Sequence, residues 1–296
     1  MEVNHNMPFQ IYNSASLTYK CGLQTGCAHS NTATTTLQDS LSLDAYSLQN
    51  TYKANQKITN IISITNNSDE PIKNISVESN LGSYSSETST FTPMNYVGIS
   101  QLYQNGIFEK IINAQIKPTN ITFNIDEIND HSNILIIYET EINNKAPLSK
   151  DSSITQVYTV TSTNILRPIT KSISVEAENY ANINIVKTMS PNPVIKGQFI
   201  TYTFNIYNYG NEEATNIVLQ DSFNPLPSII DVSVNSQKIS SEQYSYINGA
   251  FLLPRYGSDF LINTPPAQFI RNFENGEFEI NPGVTVITIK GRINQI

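Results

Sequence analysis

The sequence predicts an all-β protein: two tandem β-sandwiches preceded by an N-terminal strand hairpin. Three observations predict it. Tyr (16) and Phe (12) accompany many Ile, Val and Thr residues, which fit a pleated, half-buried surface. Short runs alternate apolar and polar with period two, as in KGQFITYTFNIYNYG, with turn residues between them. Finally, residues 56–79 align without a gap on residues 198–221, with eight of 24 positions identical. These are Gln56/Gln198, Ile58/Ile200, Thr59/Thr201, Ile64/Ile206, Asn66/Asn208, Glu70/Glu212, Asn74/Asn216 and Ile75/Ile217.

The same register carries Leu41 and Leu43 onto Ile183 and Ile185, so one domain occurs twice, about 142 residues apart. Short strands and frequent turns, without an amphipathic helix of useful length, predict a Greek-key or immunoglobulin-like sandwich for each copy. Pro191, Pro193, Pro225, Pro227, Pro265 and Pro266 are expected between strands, where a missing N–H costs nothing. The expected division is residues 1–37 as a strand or hairpin extension that is donated to a neighbouring subunit, 38–179 as the first sandwich with its closing hairpin, and 180–296 as a second sandwich lacking its last strand.

Composition excludes several function classes. At 296 residues, with 39% hydrophobic and 14% charged residues, the chain is long enough for two cored domains and is not disordered. Net charge is −8 and no Lys/Arg cluster exists, which argues against nucleic acid as a partner. No run of eighteen apolar residues predicts a membrane span. The stretch MEVNHNMPFQIYNS has neither a basic n-region nor an apolar h-region, so no secretory signal is expected and an extracellular role implies another route, such as lysis of the producing cell.

At YNYGNEEATNIVLQDSFNPLP the second copy resembles the domain-of-unknown-function-11 repeat of bacterial surface proteins, written N-x-G-x-x-x-A-x-N-V-x-V-x-D-x-x-P. Asn208, Gly210, Ala214, Asn216, Ile217, Leu219 and Asp221 occupy its positions, and Lys187, Pro191, Gly197 and Tyr202 match the preceding strand of that family. The first copy departs from it, with Ser68, Ile72 and Ser79 replacing the Gly, Ala and Asp. The resemblance implies immunoglobulin-like, extracellular, structural or adhesive domains, often tied by isopeptide bonds. Two-repeat proteins of this kind resemble coat or appendage components of spore-forming bacteria, which implies a spore or cell surface location and other coat or surface proteins as possible partners.

Repeats of this family end in a strand written roughly S-I-T-N-T-A-T-V-T. Copy one has it as SSITQVYTVTS (152–162), followed by RPITKSISVEAE (167–178); copy two reads only as far as ITIKGRINQI. The opening stretch supplies the same pattern: Ile11, Asn13, Ala15 and Leu17, with Tyr19 beyond, alternate along one strand, and SNTATTTLQDSLSL follows. Each hairpin is expected to complete the domain before it. The first hairpin then completes the second domain of another subunit by strand addition, giving a head-to-tail homopolymer. The alternatives are closure of the hairpin on its own second domain or packing on the first alone, a lost strand without consequence, or an adhesin or carbohydrate-binding module using sandwich-end loops.

Alternation also places Lys187 beside Ile183 and Ile185, and Asp221 beside Ile217 and Leu219, each pointing inward among apolar residues, where unpaired charge is costly. Lys187, Asp221 and Asn13 resemble the isopeptide trio of Gram-positive pilins, in which a Lys attacks an Asn side chain while a buried acid polarises the amide. Copy one carries Ala45, Ser79 and Gln156 instead. A buried Lys–Asp ion pair is the other reading. Cys21 and Cys27 in CGLQTGC allow a small disulfide loop, a disulfide to a neighbouring chain, or two thiols.

No catalytic set, cofactor motif or metal site is expected. G-x-S-x-G, H-E-x-x-H and phosphate-binding glycine loops are missing, and His5, His29 and His131 stand apart. Asp126, Glu127, Asp130 and His131 lack calcium-loop spacing and are expected to form a solvated turn, and the Tyr-rich segment EQYSYINGAFLLPRYGSDF to supply loop and core aromatics.

Overall fold

The computed structural model describes residues 9–37, 39–86, 89–165 and 167–293, so His5 lies outside the described residues. The described residues are all-β, and no helix is long and apolar enough to cross a membrane.

The chain opens as a two-stranded ribbon. Strand β1 (Phe9–Asn13) pairs antiparallel with β4 (Ala33–Leu37), and β2 (Ser16–Cys21) with β3 (Gln24–His29). The ribbon reverses at Gly22-Leu23, where Gly22 takes φ +61, as a two-residue hairpin requires. Two residues separate β1 from β2 but three separate β3 from β4, so the return strand bulges beside Ala15. Ser30 N donates to Ala15 O and Ala15 N to Ser30 Oγ, both at 2.8 Å, which holds the ribbon together across the bulge.

The first sandwich uses β5 (Leu41–Ser47), β6 (Thr51–Tyr52), β7 (Lys57–Asn66), β8 (Ile72–Ser79), β9 (Tyr84–Ser85), β10 (Thr90–Phe91), β11 (Met94–Gln104), β12 (Ile107–Ile112), β13 (Gln115–Ile116), β14 (Ile121–Ile128), β15 (Asn133–Ile142), β16 (Ser153–Thr161) and β17 (Ile169–Ala177). One sheet runs β12-β11-β15-β7-β5 and the facing sheet β13-β14-β8-β16-β17-β6. Strict alternation in β7 and β15 turns Ile58, Ile62, Ile64, Ile134 and Ile136 into the space between the sheets. The closing hairpin β16–β17 joins the second sheet beside β8. Its strand β16 buries Ile154, Gln156, Tyr158 and Val160, and β17 lies on β5, so that Val175 and Ala177 share the core with Leu41 and Leu43.

Buried polar atoms on β16 find partners. Gln156 Nε2 donates to Asn60 Oδ1 at 2.8 Å, Asn60 Nδ2 donates to Thr140 Oγ1 at 3.0 Å, and Tyr138 OH donates to Tyr158 OH at 3.2 Å. Burial pushes the Tyr138 hydroxyl up to about 12 and raises Tyr158 as well. Because the folded-state values lie above the unfolded value near 10, the stability they contribute is complete below about pH 10 and is lost as pH rises toward about 12. Alkaline titration of the full chain, followed by circular dichroism, is therefore expected to unfold the first sandwich in that window. Tyr138→Phe should flatten the slope; an unchanged slope refutes the assignment.

The second sandwich repeats this plan with fewer strands: β18 (Ile183–Ser190), β19 (Phe199–Asn208), β20 (Leu219–Ser222), β21 (Pro227–Val234), β22 (Gln237–Lys238), β23 (Ser245–Ile247), β24 (Ala250–Leu253), β25 (Gln268–Arg271), β26 (Phe278–Asn281) and β27 (Gly283–Ile293). Its sheets run β18-β19-β27-β21-β22 and β20-β24-β23. Pro227, expected between strands, is instead the first residue of β21, a position that a strand tolerates.

The residues shared by the two copies do the same structural work. Asn66 and Asn208 donate through Nδ2 to the carbonyls of Glu70 (2.8 Å) and Glu212 (2.7 Å). Gln56 and Gln198 accept from Lys53 N (2.8 Å) and Ile195 N (3.1 Å). Asn74 and Asn216 take the left-handed backbone at φ 54 and 56, which Asn adopts more readily than most residues. The repeat is thus a repeat of turn and bracket chemistry as much as of core.

Candidate assembly site

The two sandwiches differ where the closing hairpin sits. In the first, β8 is flanked by β14 and β16; in the second, the equivalent β20 pairs with β24 and, among the described residues, with no strand on its other side. Strand β18, the counterpart of β5, pairs with β19, and every residue along it is exposed. Leu43 is 8% exposed, whereas its counterpart Ile185 is 48% exposed. Ile183 and Met189 are open as well. The result is an apolar trough along β18 ending at a bare strand edge on β20, a combination that invites another strand.

Lys187 and Asp221 stand in this trough. They pair across the two sheets, Lys187 Nζ donating to Asp221 Oδ2 at 2.5 Å. The ammonium lies over three aromatic rings, Tyr202 (5.3 Å), Phe204 (5.2 Å) and Phe223 (5.2 Å). Alternation had placed both charges inside the core. Both side chains do point inward, over the rings, but they are not enclosed: they are 36% and 16% exposed, because the described chain lays nothing over β18. The first sandwich has Ala45, Ser79 and Gln156 at the corresponding stations, all buried and none charged.

Asn13 is not brought to this pair within one chain. Among the described residues, the ribbon that carries it joins no sheet of either sandwich. Along the ribbon, Ile11, Asn13, Ala15, Leu17 and Tyr19 are all exposed, and Tyr19 lies across Gly26, where a Cβ would meet its ring at 2.4 Å. An exposed apolar ribbon and an exposed apolar trough thus occur in one chain without meeting.

The cysteines do not close a loop. Cys21 lies opposite Gln24, and Cys27 opposite Thr18, so the two thiols point to opposite faces of the ribbon and both are free. The small disulfide loop that the spacing allowed is therefore not formed. A disulfide from this ribbon to the trough is also excluded by composition, since both cysteines of the chain lie on the ribbon. Cys27 Sγ instead lies 3.4 Å from His29 Nε2.

The remaining sequence candidates are structural. The solvated turn expected for IDEINDHS covers only its second half: Asp126 and Glu127 lie on strand β14, where Glu127 meets Lys73 at 3.3 Å, and the turn at 129–132 brings His131 Nε2 to 2.9 Å from Asp69 Oδ1. No group of three or more His, Cys, Asp or Glu among the described residues has metal-binding geometry. In the Tyr-rich segment Phe251 and Leu253 are core, Tyr244 and Tyr246 pack on that core, and Tyr256 is exposed.

No protein-family model matches the sequence, and no curated protein sequence matches it. Among solved structures the chain is similar to a pilin. That structure is BcpA, the major pilin subunit of Bacillus cereus, at 11% identity and a TM-score of 0.37, over 92% of this chain and 73% of that one. The type II cohesin dyad from the adaptor ScaA scaffoldin of Acetivibrio cellulolyticus gives 8% identity and a TM-score of 0.26, over 86% and 85% of the two chains. The collagen adhesin CNA from S. aureus gives 13% identity and a TM-score of 0.22, over 85% and 81%.

Proposed function

We propose that this chain is a structural subunit of an extracellular or spore-surface filament, and that its N-terminal ribbon completes the second sandwich of a neighbouring copy. The observation that carries the proposal is the internal template. Within one chain, β16–β17 fills the place beside β8 and over β5 that stands open beside β20 and over β18. Superposing the patterns puts Ile11 where Ile154 lies, Asn13 at Gln156, Ala15 at Tyr158 and Leu17 at Val160. The ribbon register then sets Ala33 at Ile173 and Thr35 at Val175, over β18. Donor and acceptor are different surfaces of one chain, so the contact is heterologous and propagates instead of closing.

Geometry also supports a covalent lock. With the ribbon seated, Asn13 would face Lys187 and Asp221 from the position that Gln156 takes in the first sandwich. Covering the trough removes water, which favours a neutral amine and a protonated acid over the ion pair. Lys187 Nζ then attacks Asn13 Cγ, a C–N bond forms, and the Asn13 amide nitrogen leaves as ammonia while Asp221 passes the proton. Burying about five apolar side chains is worth about 7–15 kcal/mol, against an association cost of about 4–15 kcal/mol, so a joint without the bond would be marginal when dilute.

Electron microscopy of the purified chain tests the reading, with Ile185→Asp as the control. A charge in the trough would be buried without a partner on docking, at a cost of several kcal/mol. Fibres from the native chain and isolated particles from Ile185→Asp are expected. Equal fibres from both would sink strand donation.

A further inference from the structure

We infer that residues 254–282 form an arm that fixes the two sandwiches of one subunit to each other, and that joints between subunits lack such an arm. A filament would then be a series of stiff two-domain rods linked by pliant joints. The second half rests on the strand-donation reading; the first stands on the single chain.

The arm is an insertion in one copy of the repeat. In the first sandwich four residues, 129–132, connect β14 to β15; in the second, the equivalent connection from β24 to β27 takes 254–282 and carries β25 and β26. Its root is tied to its own domain: Thr264 bridges Ala214, and Ile217 N donates to Ile262 O at 2.9 Å. Its far end reaches the first sandwich. Phe269 packs on that core, and the Arg271 guanidinium lies between the rings of Tyr84 (4.8 Å) and Phe278 (5.0 Å). Gly276 lies so close to Phe91 that a Cβ there would come within 2.2 Å of the ring. Phe278 N donates to Asn144 O at 2.9 Å, and Asn144 Nδ2 donates to Glu277 Oε1 at 2.7 Å.

A second contact closes the joint from the repeat body. Asn211 is 4% exposed and donates through Nδ2 to Leu148 O (2.9 Å) and Glu178 O (3.0 Å), while its Oδ1 accepts from Tyr180 N at 2.9 Å. Lys150 pairs with Glu212 at 2.9 Å. Inter-domain motion is the default when such contacts are few, and here they are numerous and partly apolar.

Among its described residues, the first sandwich presents none of this to a preceding subunit. The same repeat register sets Asp69 at the place of Asn211 and Ser68 at that of Gly210. A carboxylate only accepts, so Asp69 cannot bind two carbonyls as Asn211 does; it is exposed and pairs with His131. The four-residue turn 129–132 is too short to reach another domain.

Two measurements on the full chain test this. With Cys21 and Cys27 replaced by Ser, spin labels at Asn124→Cys and Gln237→Cys report the distance between the sandwiches in solution. A single narrow distribution is expected, broadening about twofold or more when Arg271→Ala and Gly276→Val are combined, with both sandwiches still folded by circular dichroism. A broad distribution in the parent, or no change in the double variant, overturns the arm. In fibres, bend angles should alternate between a narrow and a wide spread along the axis; one uniform spread overturns the pliant joint. If no fibres form, strand donation fails, and the distance measurement still judges the arm.

Discussion

A chain lacking residues 1–37 is expected to stay monomeric at concentrations where the full chain forms fibres. The deletion removes the ribbon and leaves both sandwiches, whose sheets include none of its strands. The trough along β18 remains open, so the truncated protein keeps its acceptor and loses its donor. Supplying the ribbon as a separate peptide should then fill the trough without extending a chain. Added to full-length protein, the peptide should shorten fibres by capping acceptor ends. Added to the truncated protein at about a hundred times its dissociation constant, it should stabilise the second sandwich by about 2.7 kcal/mol, read as a rise in its melting temperature. Truncated protein that still forms the same fibres would show that some other surface assembles the polymer. A peptide that leaves the melting of the second sandwich unchanged would show that the trough is not its site.

Much of this fold was legible because the repeat and the strand alternation agree. Asn66 and Asn208, Gln56 and Gln198, and Asn74 and Asn216 are identical because each holds a turn that the sandwich needs. The pairing of Lys187 with Asp221 was legible from alternation on two strands. Four things were not. The state of the cysteines was left open among three alternatives because spacing along the chain does not reveal which residues stand opposite in a ribbon, and Cys27 faces Thr18, not Cys21. The exposure of Lys187 depends on what covers β18, which a single chain does not show. The arm from 254 to 282 has no counterpart in the first copy, so self-comparison is silent about it. Asn211, whose two donated hydrogen bonds clasp the two sandwiches, stands where the first copy has Asp69, and no periodic pattern marks it.

Lys187→Ala is expected to turn a permanent joint into a dissociable one while leaving the docking surface intact. The first sandwich supplies the reason: it closes with Ala45, Ser79 and Gln156 at the three stations, with no charge to neutralise. Fibres of the native chain, boiled in detergent with reductant, should therefore run as a ladder of multimers, each joint lighter by one ammonia. Lys187→Ala and Asn13→Ala should run as monomers under the same treatment, yet still show fibres by microscopy at high protein concentration. Asp221→Ala should also prevent the bond, and should weaken docking further, since it leaves the Lys187 ammonium among three rings without its carboxylate. Changing all three residues to those of the first sandwich, with Lys187→Ala, Asp221→Ser and Asn13→Gln, transplants a closure already used in this chain. It should restore assembly without the ladder. Native fibres that fall to monomers in boiling detergent would leave strand donation standing and remove the covalent bond, with Lys187 and Asp221 then serving as an ion pair beneath the donated strand.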